Sequence, residues 1–507
     1  MEYYYHYAMG TNCLIRNLFI IVLMLALSQM AKANYADTIN VLGMGAKGDG
    51  VTDDAPAINK ALDSAVVKGC QVFFPKTNTG YYLGSSLTAR VNIYSNGAEV
   101  KGKGILIYTP ANNITIDGLT FSGQTNSGNI ADFGVIASGN NVHLNNSVFN
   151  NTCIKYKSNT LDSLTGAMIT NDTFNIDFST IEHLANQNDV ITFRGMQHGI
   201  ISGNKMNIIN CHRVIKLADN LKNLSPDSIS IYRCSDIRIE NNNIIATTNS
   251  NKQVIDCYNG TEKLELVNNY IKADGFSAIA EDKTGLRQDF SKDHLIRKNT
   301  IIFGSGSGIV VQGTYGSNTS GYESGNQNIT IDSNIFSYTG KSNKDKIIQA
   351  RYYHDVSIKD NSFSAIPSTV VIDLRANQFA TVVDNTINAG IINFGTALTN
   401  SAGTAYTDRF RNAVISGNSI NNFDGPAAIT IEQIKADEGG VQIENNAVVK
   451  FHPEANSSVI RINNSNLGHL RVVNNSANTG DDTAGKVIII NSTIHQDTEK
   501  DNNWLNR

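Results

Sequence analysis

Proline (7), tryptophan (1) and any surplus of positive charge (net −4) are all scarce in this 507-residue chain. Without a basic surplus, nucleic acid and anionic membrane surfaces are excluded as main partners. The apolar run Leu18–Leu27 is too short to span a bilayer, so no membrane partner is expected of the mature form. A disulfide framework is missing as well. Beyond the leader described next, the cysteines are Cys70, Cys153, Cys211, Cys234 and Cys257, an odd number spread over distant segments. No pair has the spacing of zinc ligands, and the five read as small core residues.

The first 33 residues read as a targeting segment. Arg16 supplies a charged start, Leu18–Leu27 an apolar stretch and Ala31-Lys32-Ala33 a small-residue cleavage site. Met9 would serve equally well as the start of such a leader. The expected location is therefore secreted or periplasmic.

What is abundant is glycine (41), asparagine and β-branched residues, a composition of strands and turns. Ile329-Thr-Ile-Asp-Ser-Asn334-Ile-Phe336 and Val356-Ser-Ile-Lys-Asp-Asn361-Ser-Phe363 share one pattern: apolar, any, apolar, any, any, Asn, any, apolar. In register its asparagines are Asn204, Asn242, Asn269, Asn299, Asn334, Asn361, Asn385, Asn418, Asn446 and Asn475, with looser copies at Leu119, Ser147 and Asp172. A spacing of 24 to 38 residues is too irregular for helical repeats and fits a solenoid of strands joined by unequal turns. The asparagines are read as a structural ladder. They tolerate a left-handed turn, and stacked amides about 4.8 Å apart can bond to one another.

Ahead of the repeats, Ile39 to Leu62 gives a short strand, a glycine-rich turn and a helix running to about Lys68. Thr52 or Asp53 is the expected N-cap, with Pro56 close to the start. Ala57, Ile58, Ala61, Leu62, Ala65 and Val66 fall on its apolar face. Short strands follow at Gln71–Pro75, Tyr81–Gly84 and Ile105–Tyr108. A helix placed here covers the open end of a solenoid. Gly43-x-Gly45 and Gly48-x-Gly50 lack the frame of a phosphate loop.

The stretch Gly45-Ala-Lys-Gly-Asp-Gly-Val-Thr-Asp-Asp54, a helix, then Phe73-Phe-Pro75 resembles the N-terminal segment of the pectate-lyase superfamily, in its rhamnogalacturonase- and epimerase-like group. The motif covers about residues 38 to 120. The resemblance implies an all-β, single-stranded right-handed parallel β-helix with an N-terminal capping helix. The family holds hydrolases, lyases, epimerases and phage tailspikes. A leader has no use in a particle assembled in the cytoplasm, which disfavours the last. The expected organisation is leader 1–33, cap 34–110, coils 111–496 and polar tail 497–507.

A second strand recurs as apolar-apolar-any-apolar: Val190–Phe193, Val214–Leu217, Val254–Cys257, Ile309–Gln312, Ile347–Ala350, Val371–Leu374, Ala428–Ile431 and Val459–Ile462. Alternation puts the third position outward, giving a column of Thr192, Lys216, Asp256, a residue near Ala280, Val311, Gln349, Asp373, Asn393, Thr430 and Arg461. At Ala278–Asp282, either Asp282 or Glu281 faces out, depending on which neighbours point in. A short connection after Asp256 lies between long ones at 218–236, 282–294 and 313–328, as walls would flank a floor.

These observations point to a polysaccharide-degrading enzyme. One rung and two residues separate Asp256 from Asp282, roughly 8 Å, within the ~6.5–9.5 Å of an inverting acid/base pair. Asp256 with Asp282 or Glu281 forms the expected catalytic pair. Lys216, Tyr258, Arg351, Asp373 and Arg375 are the expected contacts to an acidic sugar. No metal or cofactor is expected for hydrolysis. A lyase working by β-elimination would use Lys216, Tyr258 and Arg351 instead, with Ca2+ open in that case. A non-catalytic polysaccharide-binding, exopolysaccharide-assembly or surface protein is the third reading. Monomer and homotrimer both stay open. The polygalacturonase set is not intact: Asn188-Asp189, Gln197-His198-Gly199 and Arg213-Val-Ile-Lys216 each depart from it, so its roles are not carried over, and His198 and His212 read as hydrogen-bonded bystanders.

Overall fold

Each coil is three short strands and three turns, and each strand pairs in parallel with its equivalents in the coils before and after. In this computed structural model the chain is a parallel β-helix. The structure describes residues 38–505, apart from 103, 124–132, 160–162, 180–188, 219–232, 259–260, 281–290, 313–326, 342–344, 352, 376, 378, 396–411, 450–457, 479–484 and 501–502. The leader lies outside these residues.

The first face carries the strands that approach the ladder asparagine, such as Cys234–Glu240, Thr261–Val267 and Gln327–Asp332. The second face follows that asparagine, as at Lys205–Ile209 and Ile335–Tyr338. The third face carries Cys153–Lys157, Asp189–Arg194, Arg213–Ala218, Lys346–Arg351 and Val370–Arg375.

Because the registers are in step, like residues stack on like. On the first face Ile201, Ile239, Leu266, Ile296, Ile331 and Ile358 form one buried column. On the second face Phe121, Phe149 and Phe174 stack with centroids 4.7 and 4.9 Å apart, and Phe336 stacks on Phe363 at 5.0 Å. Those separations match the strand spacing of about 4.8 Å, so each ring packs against the next with no change of rotamer along the column. Cys153, Cys211, Cys234 and Cys257 are buried in this core, and Cys70 is partly buried.

The ladder is realised. Asn299 donates from Nδ2 to Asn334 Oδ1 at 2.9 Å and to the Leu266 carbonyl at 2.8 Å, while its own Oδ1 accepts from the backbone and side chain of Asn269. The left-handed residue, however, is the one before the ladder asparagine: Asn241, Asn268, Lys298, Ser333, Asp360, Asn445 and Asn474 all have φ between 54° and 57°. The ladder residue itself supplies the amide, and its neighbour takes the strained turn.

Helix α1 (Ala55–Lys68) covers the first coil, burying Ala55, Ile58, Ala61, Leu62 and Ala65. Two expectations about it are corrected. Its N-cap is Asp54 rather than Thr52 or Asp53, and the Asp54 carboxylate turns back to accept from the N–H groups of Lys47 and Gly48. Asp53 instead accepts from Ala55 and Gly84. Val66 is exposed, because it falls at the edge of the packed face. At the other end, the stretch expected as a polar tail carries Thr493–Lys500 and Asn503–Leu505, strands of a last coil paired with the one before.

Candidate active site on the third face

The outward column of the third face runs Lys155, Thr192, Lys216, Asp256, Ala280, Val310, Gln349, Asp373, Asn393, Thr430 and Arg461. One position differs from the expected column: Val310 replaces Val311, which is buried. The strand there starts at Ile309, which pairs with Ile348, so the preceding core position is Gly308. A Cβ at Gly308 would sit 2.7 Å from the Ile347 carbonyl oxygen, so the close approach demands glycine and hides the apolar pattern.

Ile279 pairs with Ile255 in the core and Ala280 with Asp256, which fixes the register as far as Ala280. Glu281 and Asp282 lie outside the described residues, as do most of the expected flanking walls. Tyr258 pairs with Ala218 through its backbone, and its side chain lies outside the description.

Asp256 sits in the outward column yet exposes none of its surface. It is therefore not a solvated surface charge. Its carboxylate forms an ion pair with Nε of Arg213, itself buried. The same guanidinium reaches Asp189 through Nη1 at 3.4 Å. Asp189 also lies 3.3 Å from Nζ of Lys216 and 3.4 Å from Nδ1 of His212, which stands 2.7 Å from Arg213 Nη1. Burial pushes Asp189 up, but the His212 hydrogen bond and the charges of Lys216 and Arg213 outweigh it and hold the carboxyl below its usual range. The result is two carboxylates bridged by one arginine, with Lys216 beside them.

Of the expected sugar contacts, Tyr258 lies on the strand of Asp256 itself and Lys216 on the rung next to it. Arg351 lies on the rung of Gln349, three steps on, and Asp373 and Arg375 lie four steps on, about 19 Å away. Asp373 is itself a buried hub, accepting from Gln349 Nε2 (2.9 Å), Asn393 Nδ2 (2.8 Å) and Arg375 Nε (3.0 and 3.1 Å). A carboxylate held by so many donors pins three rungs together.

Sequence reasoning assigned Asp189 and Arg213 no role of their own, and its outward column stopped short of Lys155 and Lys157. Cys153-Ile-Lys155-Tyr-Lys157 carries the alternation of the later rungs, with Ile154 and Tyr156 buried and both lysines facing out. That was the available signal. His198 pairs with Asp236 at 2.6 Å on the first face, away from this column. Among the described residues, no group of three or more His, Cys, Asp or Glu is placed to hold a metal, and no helix is long and apolar enough to cross a membrane.

Comparison with known proteins adds a family likeness over part of the chain. The model for "Rhamnogalacturonase A/epimerase, pectate lyase-like" matches residues 38–237, from the capping segment through the Asp189 and Lys216 rungs. Among solved structures, a tailspike protein of E. coli bacteriophage HK620 aligns at 11% identity and TM-score 0.52, over 90% of this chain and 78% of its own. PfbA, a surface adhesin of Streptococcus pneumoniae, aligns at 15% identity and TM-score 0.47, over 84% and 93%. The A-module of an Azotobacter vinelandii mannuronan C-5 epimerase aligns at 14% identity and TM-score 0.33, over 90% and 98%. The tailspike likeness speaks for the fold alone. No curated protein matches.

Proposed function

We propose that this chain, a member of the pectate-lyase-like superfamily of parallel β-helix proteins, cleaves a polysaccharide laid along its third face, by glycoside hydrolysis. The supporting observation is the convergence of Asp189 and Asp256 on Arg213 in the outward column, with Lys216 alongside. The family description names activities on polysaccharides, which agrees with such a face.

Glycosidic hydrolysis needs a carboxylate base or nucleophile and a carboxylic acid. Asp256, ion-paired to the Arg213 guanidinium, is the base. Asp282, or Glu281 beside it, is the partner acid that protonates the leaving oxygen. Asp189 acts as a positioning residue, holding Lys216 and Arg213 in place.

The test is the purified chain against a panel of acidic and neutral polysaccharides, read by chain length and by ultraviolet absorbance. Asp256→Asn and Asp282→Asn should each slow cleavage by about 10²- to 10⁴-fold. Circular dichroism separates a catalytic loss from misfolding in Asp256→Asn, whose ion pair is buried. Full activity in both variants would sink the assignment. Unsaturated ends absorbing in the ultraviolet would replace hydrolysis with β-elimination, and glycan binding without cleavage would leave a binding protein.

A further inference from the structure

Three rungs of the third face, immediately upstream of Asp256, gather four cations. Lys155 and Lys157 lie on one rung, Arg194 pairs with Lys157 on the next, and Lys216 lies on the third. Lys216 is committed to Asp189. Lys155 and Arg194 are not so committed: among the described residues, neither has a carboxylate at ion-pair distance. Lys155 has only the Phe133 ring, 5.5 Å from its Nζ. Arg194 Nε is buried and meets no hydrogen-bond acceptor among the described residues.

Such a grouping is costly by itself. Burial lowers the Lys155 pKa, and the charges of Arg194, Lys157 and Lys216 lower it further, with Asp189 opposing them in part. The neighbouring carboxylates are already shared among Arg213, Lys216 and His212. A bound anion would relieve the repulsion and satisfy the guanidinium, whose planar donors suit a carboxylate or a sulfate.

We propose that Lys155, Lys157 and Arg194 form an anion subsite that holds a carboxylate or sulfate of an acidic polysaccharide beside the Asp256 rung. The inference rests on the glycan reading of the third face and narrows its substrate to polyanions. It also moves the charge-reading residues from Arg351, Asp373 and Arg375 to the rungs upstream. Anion binding favours protonated Lys155, so affinity falls as pH rises through the lowered pKa of that lysine.

The experiment is calorimetric titration of the full chain with polygalacturonate, with dextran sulfate and with dextran, at several salt concentrations. Both polyanions should bind, more weakly at high salt, and dextran should not. Lys155→Ala and Arg194→Ala should each weaken polyanion binding about tenfold. Lys205→Ala with Lys272→Ala, on the second face, should leave it unchanged. Equal binding of dextran and dextran sulfate, unaltered by Lys155→Ala and Arg194→Ala, would overturn the subsite while leaving the glycan reading intact. Polyanion binding that depends on these residues, with no cleavage of any polymer, would support the subsite and overturn the enzyme. Absence of polyanion binding overturns the subsite outright.

Discussion

Asp172 occupies a ladder position where later coils place asparagine. Its backbone N–H donates to Asn204 Oδ1 at 2.8 Å and its Oδ1 accepts from Ser147 N–H at 2.6 Å, as the ladder requires. Its Oδ2, however, stands where the others carry an NH2 group, and it is buried without a hydrogen-bond partner among the described residues. A proton on Oδ2 restores the donor. Burial, with Asp117 adding to it, raises the pKa well above the usual 3.8. A folded-state pKa above the unfolded one gives stability that is whole below the unfolded value and is lost as pH rises through the folded value. Asp172→Asn removes that loss. Its advantage over the parent in urea unfolding should therefore be small below about pH 4 and grow towards neutrality, reaching about 1 to 2 kcal/mol. A variant less stable than the parent at pH 7 would overturn the protonated rung.

At the scale of elements, the ladder turn divides two tasks between adjacent residues. The left-handed position tolerates Lys298 and Ser333 as well as asparagine, at about 1 kcal/mol each. From Asn204 to Asn475 the ladder position keeps asparagine, since each amide there serves both neighbours. Asn299→Ala strips Asn269 N–H and the Leu266 carbonyl of their partners in a buried turn. Unfolding by denaturant should show a loss of about 3 kcal/mol, the sum expected for buried groups left unsatisfied. The repeat pattern made this ladder legible because one residue type must recur at one phase. It did not separate the amide from the left-handed residue, since asparagine commonly fills both positions. Gly308 shows the opposite failure: a packing demand removed the side chain that would have carried the phase.

Across the whole molecule, each coil touches only its neighbours, so perturbations should spread no further than a rung or two. Asn269→Ala combined with Asn475→Ala should be additive in unfolding free energy. Asn269→Ala with Asn299→Ala, which share hydrogen bonds, should cost less than their sum. Additivity in the adjacent pair, or coupling in the distant one, would contradict a nearest-neighbour solenoid. The solenoid, the capping helix and most of the outward column were determined by the sequence itself, because each depends on a local alternation or on a residue repeated at fixed phase. Tertiary structure decided how the column is wired. Whether Asp256 is a solvated charge or a buried partner of Arg213, and whether Asp373 reads sugar or pins rungs, depends on side chains 20 to 43 residues apart meeting across a shared register. No local pattern carries that information, because the period varies while the pairing distance does not.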